Sequence, residues 1–477
     1  MSSSSHVVLS DSVDYKPVVM HSGRYRQRAL PLNNIPAASV AITATGSQLV
    51  EWKIPANTVF NPSRSTMPYQ LTIPVQAAGT CVFSFEDTYE ICNSIQFSSA
   101  AQPGLLMDLN FANNYVSVAR KIDIGDTDFE SLDYTSGLYC SDATVRAQTA
   151  AGAAAAAAAR SNYFPPTSQL LANNPYGLAA GTYTDQLVLE EPQYARSADA
   201  LNTAMTLTRI IPFSALTHTA LGIDKDYVFG EDMYIRMMIA PSYKIGYTTS
   251  TAGNPTGGIP LSVQPTITGL TLNLAIQVDP VIEEAVRAKF QRGDMKFFIP
   301  YQYGWRYATA GAGQISIQQQ LNNGYGKRLK RVLQIPMDGT EPMSASASKA
   351  YDHQNFNSDK ITQYQTLLNS VPLQDQQVVT ASMDDYRLNQ EFIKGSAIRG
   401  SASYYHNWFH MDSFSNPKHC TTADVLQENV LEGLDLSMPI TWTFTATAAK
   451  ALTNYTFAEF IREVHAKPNA PVEVLVA

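Results

Sequence analysis

The sequence predicts an all-β protein built from two β-units in tandem with helical and loop insertions. Three observations carry that prediction. Runs rich in β-branched and aromatic residues, bounded by Pro, Gly and Asn, recur from about residue 41 almost to the C-terminus. One amphipathic helical stretch, PVIEEAVRAKFQR (280–292), stands between two such sets of runs. The chain has 477 residues, more than one hydrophobic core usually organises.

Taken in order, residues 1–40 mix polar and basic pieces, including Lys16, Arg24, Arg26 and Arg28, with Pro31 and Pro36. They show no hydrophobic period and read as an N-terminal arm. Residues 41–280 form the first unit. AITATGSQLVEWKIP alternates Val50, Trp52 and Ile54, and STMPYQLTIPV repeats the pattern with Pro68 and Pro74. Prolines that frequent fit strand ends and edges, because proline cannot donate to a sheet ladder. TCVFSFEDTYEI and NSIQFSSA continue the strand texture. Between about 137 and 200 the character changes. The alanine run TAAGAAAAAAAR (149–160) predicts an inserted helix, and SNYFPPTSQLLANNPYGLAAGTY a long loop. Strands return with TLTRIIPFSAL, EDMYIRMMIAPSYKIGYTT and PTITGLTLNLAIQV. In the last, Leu270, Leu272, Leu274 and Ile276 share one alternating face.

Residues 281–477 hold most of the linker helix and the second unit. The helix has Pro280 at its start, acids early and bases late, as the helix dipole favours. MKFFIPYQYGWRYAT, GQISIQQQL and GKRLKRVLQIPM are the next strands. A polar stretch from about Asp338 to Gln390 follows, then SAIRGSASYYHNWFHMDSF and LDLSMPITWTFTATAA.

Composition limits the function. Charged residues make up 16% of the chain, against about 25% in an ordinary soluble protein, alongside 25 Tyr and 19 Phe. That balance points to surface buried against other chains. A net charge of −8 argues against a protein that mainly coats nucleic acid, which needs Lys and Arg in excess. Cys81, Cys92, Cys140 and Cys420 match neither a CxxC pair nor a disulfide framework and read as reduced thiols. MSSSSHVVLSDSVDY lacks a basic start with an apolar run, and no stretch reaches the ~20 apolar residues that span a bilayer. The sequence therefore predicts a soluble protein made in a reducing compartment.

Enzyme signatures are missing: GxxxxGK[ST], HExxH, GxSxG and the kinase set do not occur. GNPTGG (253–258) and GYGKR (324–328) read as turns, since no helix opens directly after their glycines. YYHNWFHMDSFSNPKHC brings His406, His410, Asp412, His419 and Cys420 together, all possible zinc ligands. Its aromatic context favours packing with incidental histidines. EDTYE (86–90) and DIGDTDFE (123–130) offer Ca²⁺ oxygens without EF-hand spacing and read as solvated acidic loops. Asp384 and Asp385 read as a polar turn. Asn454 in Asn-Tyr-Thr is a formal glycosylation acceptor, expected to stay unmodified. No catalytic, cofactor-binding or metal residue is predicted, and no cofactor.

In order and texture the chain resembles the double jelly-roll major capsid proteins of the adenovirus and tectivirus lineage, most of all the polinton-like virus and virophage branch. WKIPANTVFNPSRSTMPYQLTIP looks like the first strands of that family's N-terminal barrel. NSIQFSSAAQPGLLMDLNFANNY is similar to its strand ending in a turn, and RIIPFSALTHTALGIDKDYVFGEDMYIRMMIAPSYKIGY to its strand, short helix and returning strand. RLKRVLQIPMDGTEPMSASASKAYDHQNF with ITQYQTLLNSVPLQDQQ looks like the loop into the tower, and EGLDLSMPITWTFTATA like the final strand. The likeness spans roughly residues 45–460.

The resemblance implies two jelly-roll β-sandwich barrels in one chain and a homotrimer forming a pseudo-hexagonal capsomer of an icosahedral capsid. It implies a structural protein of the virion of a double-stranded DNA virus, without enzymatic activity, made in the host cytoplasm or viral factory. Partners would be neighbouring capsomers, minor or penton capsid proteins, and an internal membrane or the genome touched by Arg24, Arg26 and Arg28 of the arm. Two rival expectations are a minor capsid or spike-base protein of the same lineage and a carbohydrate-binding or carbohydrate-active β-sandwich.

Overall fold

The computed structural model of the chain describes residues 23–33, 39–43, 48–74, 80–84, 88–99, 102, 106–123, 194–196, 205–242, 246–249, 258–260, 263–293, 295–309, 311–338, 361–380, 382, 384–385, 388, 409–414, 433–449 and 451–475. The described part consists of two β-sandwiches joined by a helix.

Eight strands build the first sandwich: β1 (Tyr25–Leu30), β3 (Leu49–Ile54), β4 (Phe60–Ile73), β6 (Cys92–Ser99), β7 (Met107–Asn110), β9 (Met205–Pro212), β10 (Met233–Ile239) and β14 (Leu272–Gln277). One sheet pairs β1 with β14, β14 with β4 and β4 with β9; the other runs β3-β10-β6-β7. Counted in chain order, these are first–eighth–third–sixth and second–seventh–fourth–fifth. That is the order of a jelly roll, two Greek keys folded into two facing sheets. β2 (Ser39–Ala41) and β13 (Thr266–Thr268) extend the first sheet, and β5 (Thr80–Ser84), β8 (Tyr194–Arg196), β11 (Gly246–Thr249) and β12 (Gly258–Pro260) form a small separate sheet.

The second sandwich repeats the plan. Its main strands are β15 (Met295–Ala308), β16 (Gly313–Leu321), β17 (Arg328–Asp338), β18 (Ile361–Leu368), β20 (Val378–Val379), β21 (His410–Ser413), β23 (Ile440–Ala448) and β24 (Leu452–Ala466). The sheets run β15-β24-β17-β21 and β16-β23-β18, with β20 on β18. These are the same two strand orders as in the first sandwich. β19 (Val371–Pro372), β22 (Leu434–Asp435) and β25 (Glu473–Leu475) are short additions to β18, β17 and β24.

Alternation makes these strands amphipathic. In β10, Met233, Ile235, Met237 and Ile239 point inward and their neighbours outward. In β23, Ile440, Trp442, Phe444, Ala446 and Ala448 are buried and every intervening residue is a threonine. Each fully buried side chain of Leu or Phe size contributes about 1.5–3 kcal/mol. The linker helix α2 (Pro280–Gln291) starts where Asp279 accepts hydrogen bonds from the Val281 and Ile282 amides, with Pro280 in the first turn.

Three expectations need correction. The arm does not extend to residue 40: Tyr25–Leu30 pair along β14, so Arg26 and Arg28 sit on an edge strand of the first barrel. ITWTFTATA is the seventh strand of the second barrel, and LTNYTFAEFIREVHA is the eighth. The stretch after Met107–Asn110 is not a simple turn, because Ala112–Asp123 form helix α1. The alanine run 149–160 lies outside the described residues.

Candidate assembly surfaces

The two barrels meet along the β15-β24-β17-β21 sheet. Its outer side carries Arg331, Leu333 and Ile335 of β17, Tyr455, Phe457 and Glu459 of β24, Gln302 of β15 and Met411 of β21, all buried. An outward sheet face is normally wet. This one is covered by the first barrel, so β24 is buried along nearly its whole length on both sides. The cover comes from α1, β7 and the segment between β9 and β10. Phe111 packs edge-on against Tyr455 with ring centres 5.1 Å apart, and Tyr115 packs on Phe457 at 5.1 Å. Backbones approach closely as well. A side chain at Gly304 would meet the Phe457 ring at 3.0 Å and the Asn110 carbonyl at 3.3 Å. Lower down, Phe297 of β15 packs against Tyr227 and Phe229 of the first barrel.

One ionic group crosses this apolar junction. His218 Nδ1 lies 2.8 Å from Glu459 Oε1, and Arg331 Nε donates to Glu459 Oε2 at 2.9 Å. Side-chain exposures are 1%, 3% and 2% for His218, Glu459 and Arg331. Burial alone would raise the Glu459 carboxyl. The charges of His218 and Arg331, the His218 hydrogen bond and nearby Lys330 outweigh it and hold the group below the usual carboxylate range. His218 takes a left-handed backbone, φ 53°, in the segment between β9 and β10. A non-glycine residue there is uncommon and costs on the order of 1 kcal/mol.

The first barrel has the same sheet as the one its partner buries. Its outer side carries Thr66, Pro68, Gln70 and Thr72 of β4, Thr208 and Ile210 of β9, Asn273 of β14, and Thr266 and Thr268 of β13. None is charged, and none is buried. The outer side of the β16-β23-β18 sheet is also uncharged. It presents Gln314, Ser316, Gln318 and Gln320, then Thr441, Thr443, Thr445 and Thr447, then Gln363, Gln365 and Leu367, in register across three strands. The matching β3-β10 surface of the first barrel differs: it carries the ion pairs Arg236–Glu51 at 2.6 Å and Lys53–Asp232 at 2.5 Å.

Of the histidine-rich segment, His410 and Asp412 are described, in the core of the second barrel. His410 Nε2 is 3.0 Å from Asp412 Oδ1, while Asp412 Oδ2 accepts from Trp442 Nε1 and Thr366 Oγ1, each at 3.1 Å. His410 lies against Tyr364 and Phe444. This is aromatic packing around a satisfied carboxylate. His406, His419 and Cys420 lie outside the described residues, and among those described no group of three or more possible ligands gathers.

Asp385 is not a solvated turn residue: it is fully buried and accepts the Tyr364 hydroxyl at 2.7 Å. Nothing in the sequence around it signals that partner. Gly324 and Tyr325 offer their carbonyls to Arg462, whose guanidinium lies 3.3 Å over the Tyr301 ring. The GYGKR turn is thus structural. Asn454 is buried, and its amide donates to Gln334 and Thr456. Cys92 is buried, its thiol donating to the Ser94 carbonyl at 3.6 Å, and Arg24, Arg26 and Arg28 are exposed. Most of the acidic runs 86–90 and 123–130 falls outside the described residues. No described helix is long and apolar enough to cross a membrane.

Two jelly rolls of identical strand order in one chain define the class: a double jelly-roll protein. The comparisons agree on that fold. The PBCV-1 virus capsid superimposes with a TM-score of 0.54 at 8% identity, over 97% of this chain and 99% of that one. PBCV-1 Vp54, fitted into a reconstruction of the virophage Sputnik, gives 0.52 at 10% identity over 97% and 99%. The Faustovirus major capsid protein gives 0.51 at 10% identity over 97% and 93%. No protein-family model matches the chain, and no curated protein does.

Proposed function

We propose that the chain is the major capsid protein of a double-stranded DNA virus, a homotrimer whose six barrels close into one pseudo-hexagonal ring. The observation that carries this reading is the head-to-tail stacking of the two barrels. A surface of barrel one made by α1, β7 and the β9–β10 segment covers the outer β15-β24-β17-β21 face of barrel two. The two surfaces differ, so the contact is heterologous, and a heterologous contact that repeats with closure makes a ring. Barrel one's equivalent face, around Thr66, Pro68 and Ile210, has no barrel stacked on it among the described residues. Covering it with barrel two of the next copy repeats the same contact, and three chains then supply six barrels. The low charged fraction suits such extensive coverage.

In this reading the chain acts by self-assembly without catalysis. It is made in the host cytoplasm or viral factory and resides in the virion shell. Its partners are its own copies, neighbouring capsomers and minor or penton proteins at the vertices. The exposed Arg24, Arg26 and Arg28 are available to genome phosphate or an anionic membrane. The test is the mass of the purified protein by light scattering, with negative-stain imaging of the same fraction. A mass of three times 52.2 kDa with hexagonal particles is expected, and Ile210→Glu should reduce it to one. A wild-type protein that stays monomeric overturns the reading.

A further inference from the structure

We propose that the outward face of β16 and β23 is the surface through which one trimer meets the same face of a second copy in the next trimer, across a two-fold axis. The inference rests on the capsid reading above and names the contact that would tile the ring. Strand order supplies the position. β16 and β23 are second and seventh in their barrel, as β3 and β10 are in theirs. In barrel one the stacked partner covers the β6–β7 side and leaves the β3–β10 side open, with Lys53 and Asp232 still 42% and 38% exposed. By the same stacking, the β16–β23 side of barrel two stays on the rim of a closed ring.

Chemistry supplies the occupant. A surface meant for water carries roughly a quarter to a third Lys, Arg, Glu and Asp. Thr441, Thr443, Thr445 and Thr447, beside Gln318 and Gln320, carry none. A face without charge meets its own copy without repulsion and without desolvating an ion. Threonine is stiff at χ1, so fixing the ladder costs little side-chain freedom.

The area fits a tiling contact. Strands of 9 residues are about 30 Å long at ~3.4 Å per residue. Two strands about 4.8 Å apart give on the order of 300 Å² per copy, or ~600 Å² in all. Stable pairs bury about 1,200–2,000 Å², so this contact alone is weak and becomes firm only by repetition around a ring.

The experiment is sedimentation velocity of purified trimers over a concentration series, with Thr443→Lys and the more exposed Gln318→Lys as variants. Each lysine faces its own copy across the two-fold axis. Both variants should form trimers of unchanged mass and melting temperature, yet associate further at least about tenfold more weakly than wild type. Wild-type association should change by less than about threefold between roughly 50 and 500 mM NaCl, since no charges are there to screen. Undiminished association of both variants overturns the proposal. So does loss of the trimer in both, which would place the face inside the ring, or wild-type trimers that never associate. A monomeric wild type overturns instead the capsid reading beneath it.

Discussion

Replacing Glu459 with alanine tests whether the two barrels are locked together as described. The substitution leaves the Arg331 guanidinium and the His218 ring in a junction where each is at most 2% exposed, without the carboxylate they share. Removing one partner of a buried ionic pair costs about 3–5 kcal/mol, mostly because a charge stays behind unpaired. Unfolding entropy near 2.1 cal/mol/K per residue gives about 1 kcal/mol/K for 477 residues melting as one unit. The expected loss is therefore about 3–5 °C in calorimetry. Replacing Glu459 and Arg331 together with methionine should recover most of it, since apolar substitutes of similar volume are often neutral. Acid should act on the same contact. The Glu459 carboxyl is held low in the folded protein, so its contribution is complete above the unfolded value near 4.3 and fades as pH falls through the lower folded value. Wild type should lose this stability below about pH 4.3, and Glu459→Gln should lack that component. A Glu459→Ala protein melting within about 1 °C of wild type refutes the reasoning.

Three further outcomes follow from the same contacts. Asp412→Ala strands Trp442 Nε1 in the core and leaves Thr366 Oγ1 and His410 Nε2 to each other at 3.3 Å; it should cost about 2 kcal/mol, read as a drop of about 2 °C by calorimetry. Gly230→Ala drives a side chain to 2.2 Å from the Lys467 carbonyl and should lift the stretch after β24 off barrel one, seen as faster limited proteolysis near Lys467. Asn454 should stay unmodified even when the chain is passed through a secretory pathway, because its amide is buried and bonded to Gln334 and Thr456; intact mass would check it.

Strands facing one core were legible in the sequence, and strands facing two were not. Leu272 and Leu274 of β14, the Ile-Thr-Trp-Thr-Phe-Thr run of β23 and the helix at Pro280 all announce themselves by period. β24 does not. It is covered on both sides, so its alternation disappears, and Glu459, Arg462 and Glu463 give it the look of a charged helix. Its ionic partners come from His218 and Arg331, far away in sequence. β1 fails for the opposite reason: as an edge strand it leaves four successive residues exposed, and Arg26 and Arg28 mimic an arm. α1 hides behind a turn signature because Phe111, φ 56°, starts it from a left-handed residue. Of the candidate site, the low charge pointed to buried surface, but which faces carry it emerged only from the strand order.

The placement of charge separates the contact made within the chain from those proposed between chains. Burying the His218–Glu459–Arg331 group carries a desolvation penalty of several kcal/mol per ion. Between tethered barrels that penalty is met at the high effective concentration the linker imposes. In return the group fixes one register, which smooth packing of Phe457 on Tyr115 alone would leave free to slide. On the proposed reading the open faces would meet partners by bimolecular association, with no tether to offset such a penalty. There the described chain presents Thr, Gln, Asn, Pro and Ile. The proposed assembly would then follow an order of events: each chain locks its two barrels first, and weaker, uncharged contacts join the locked units.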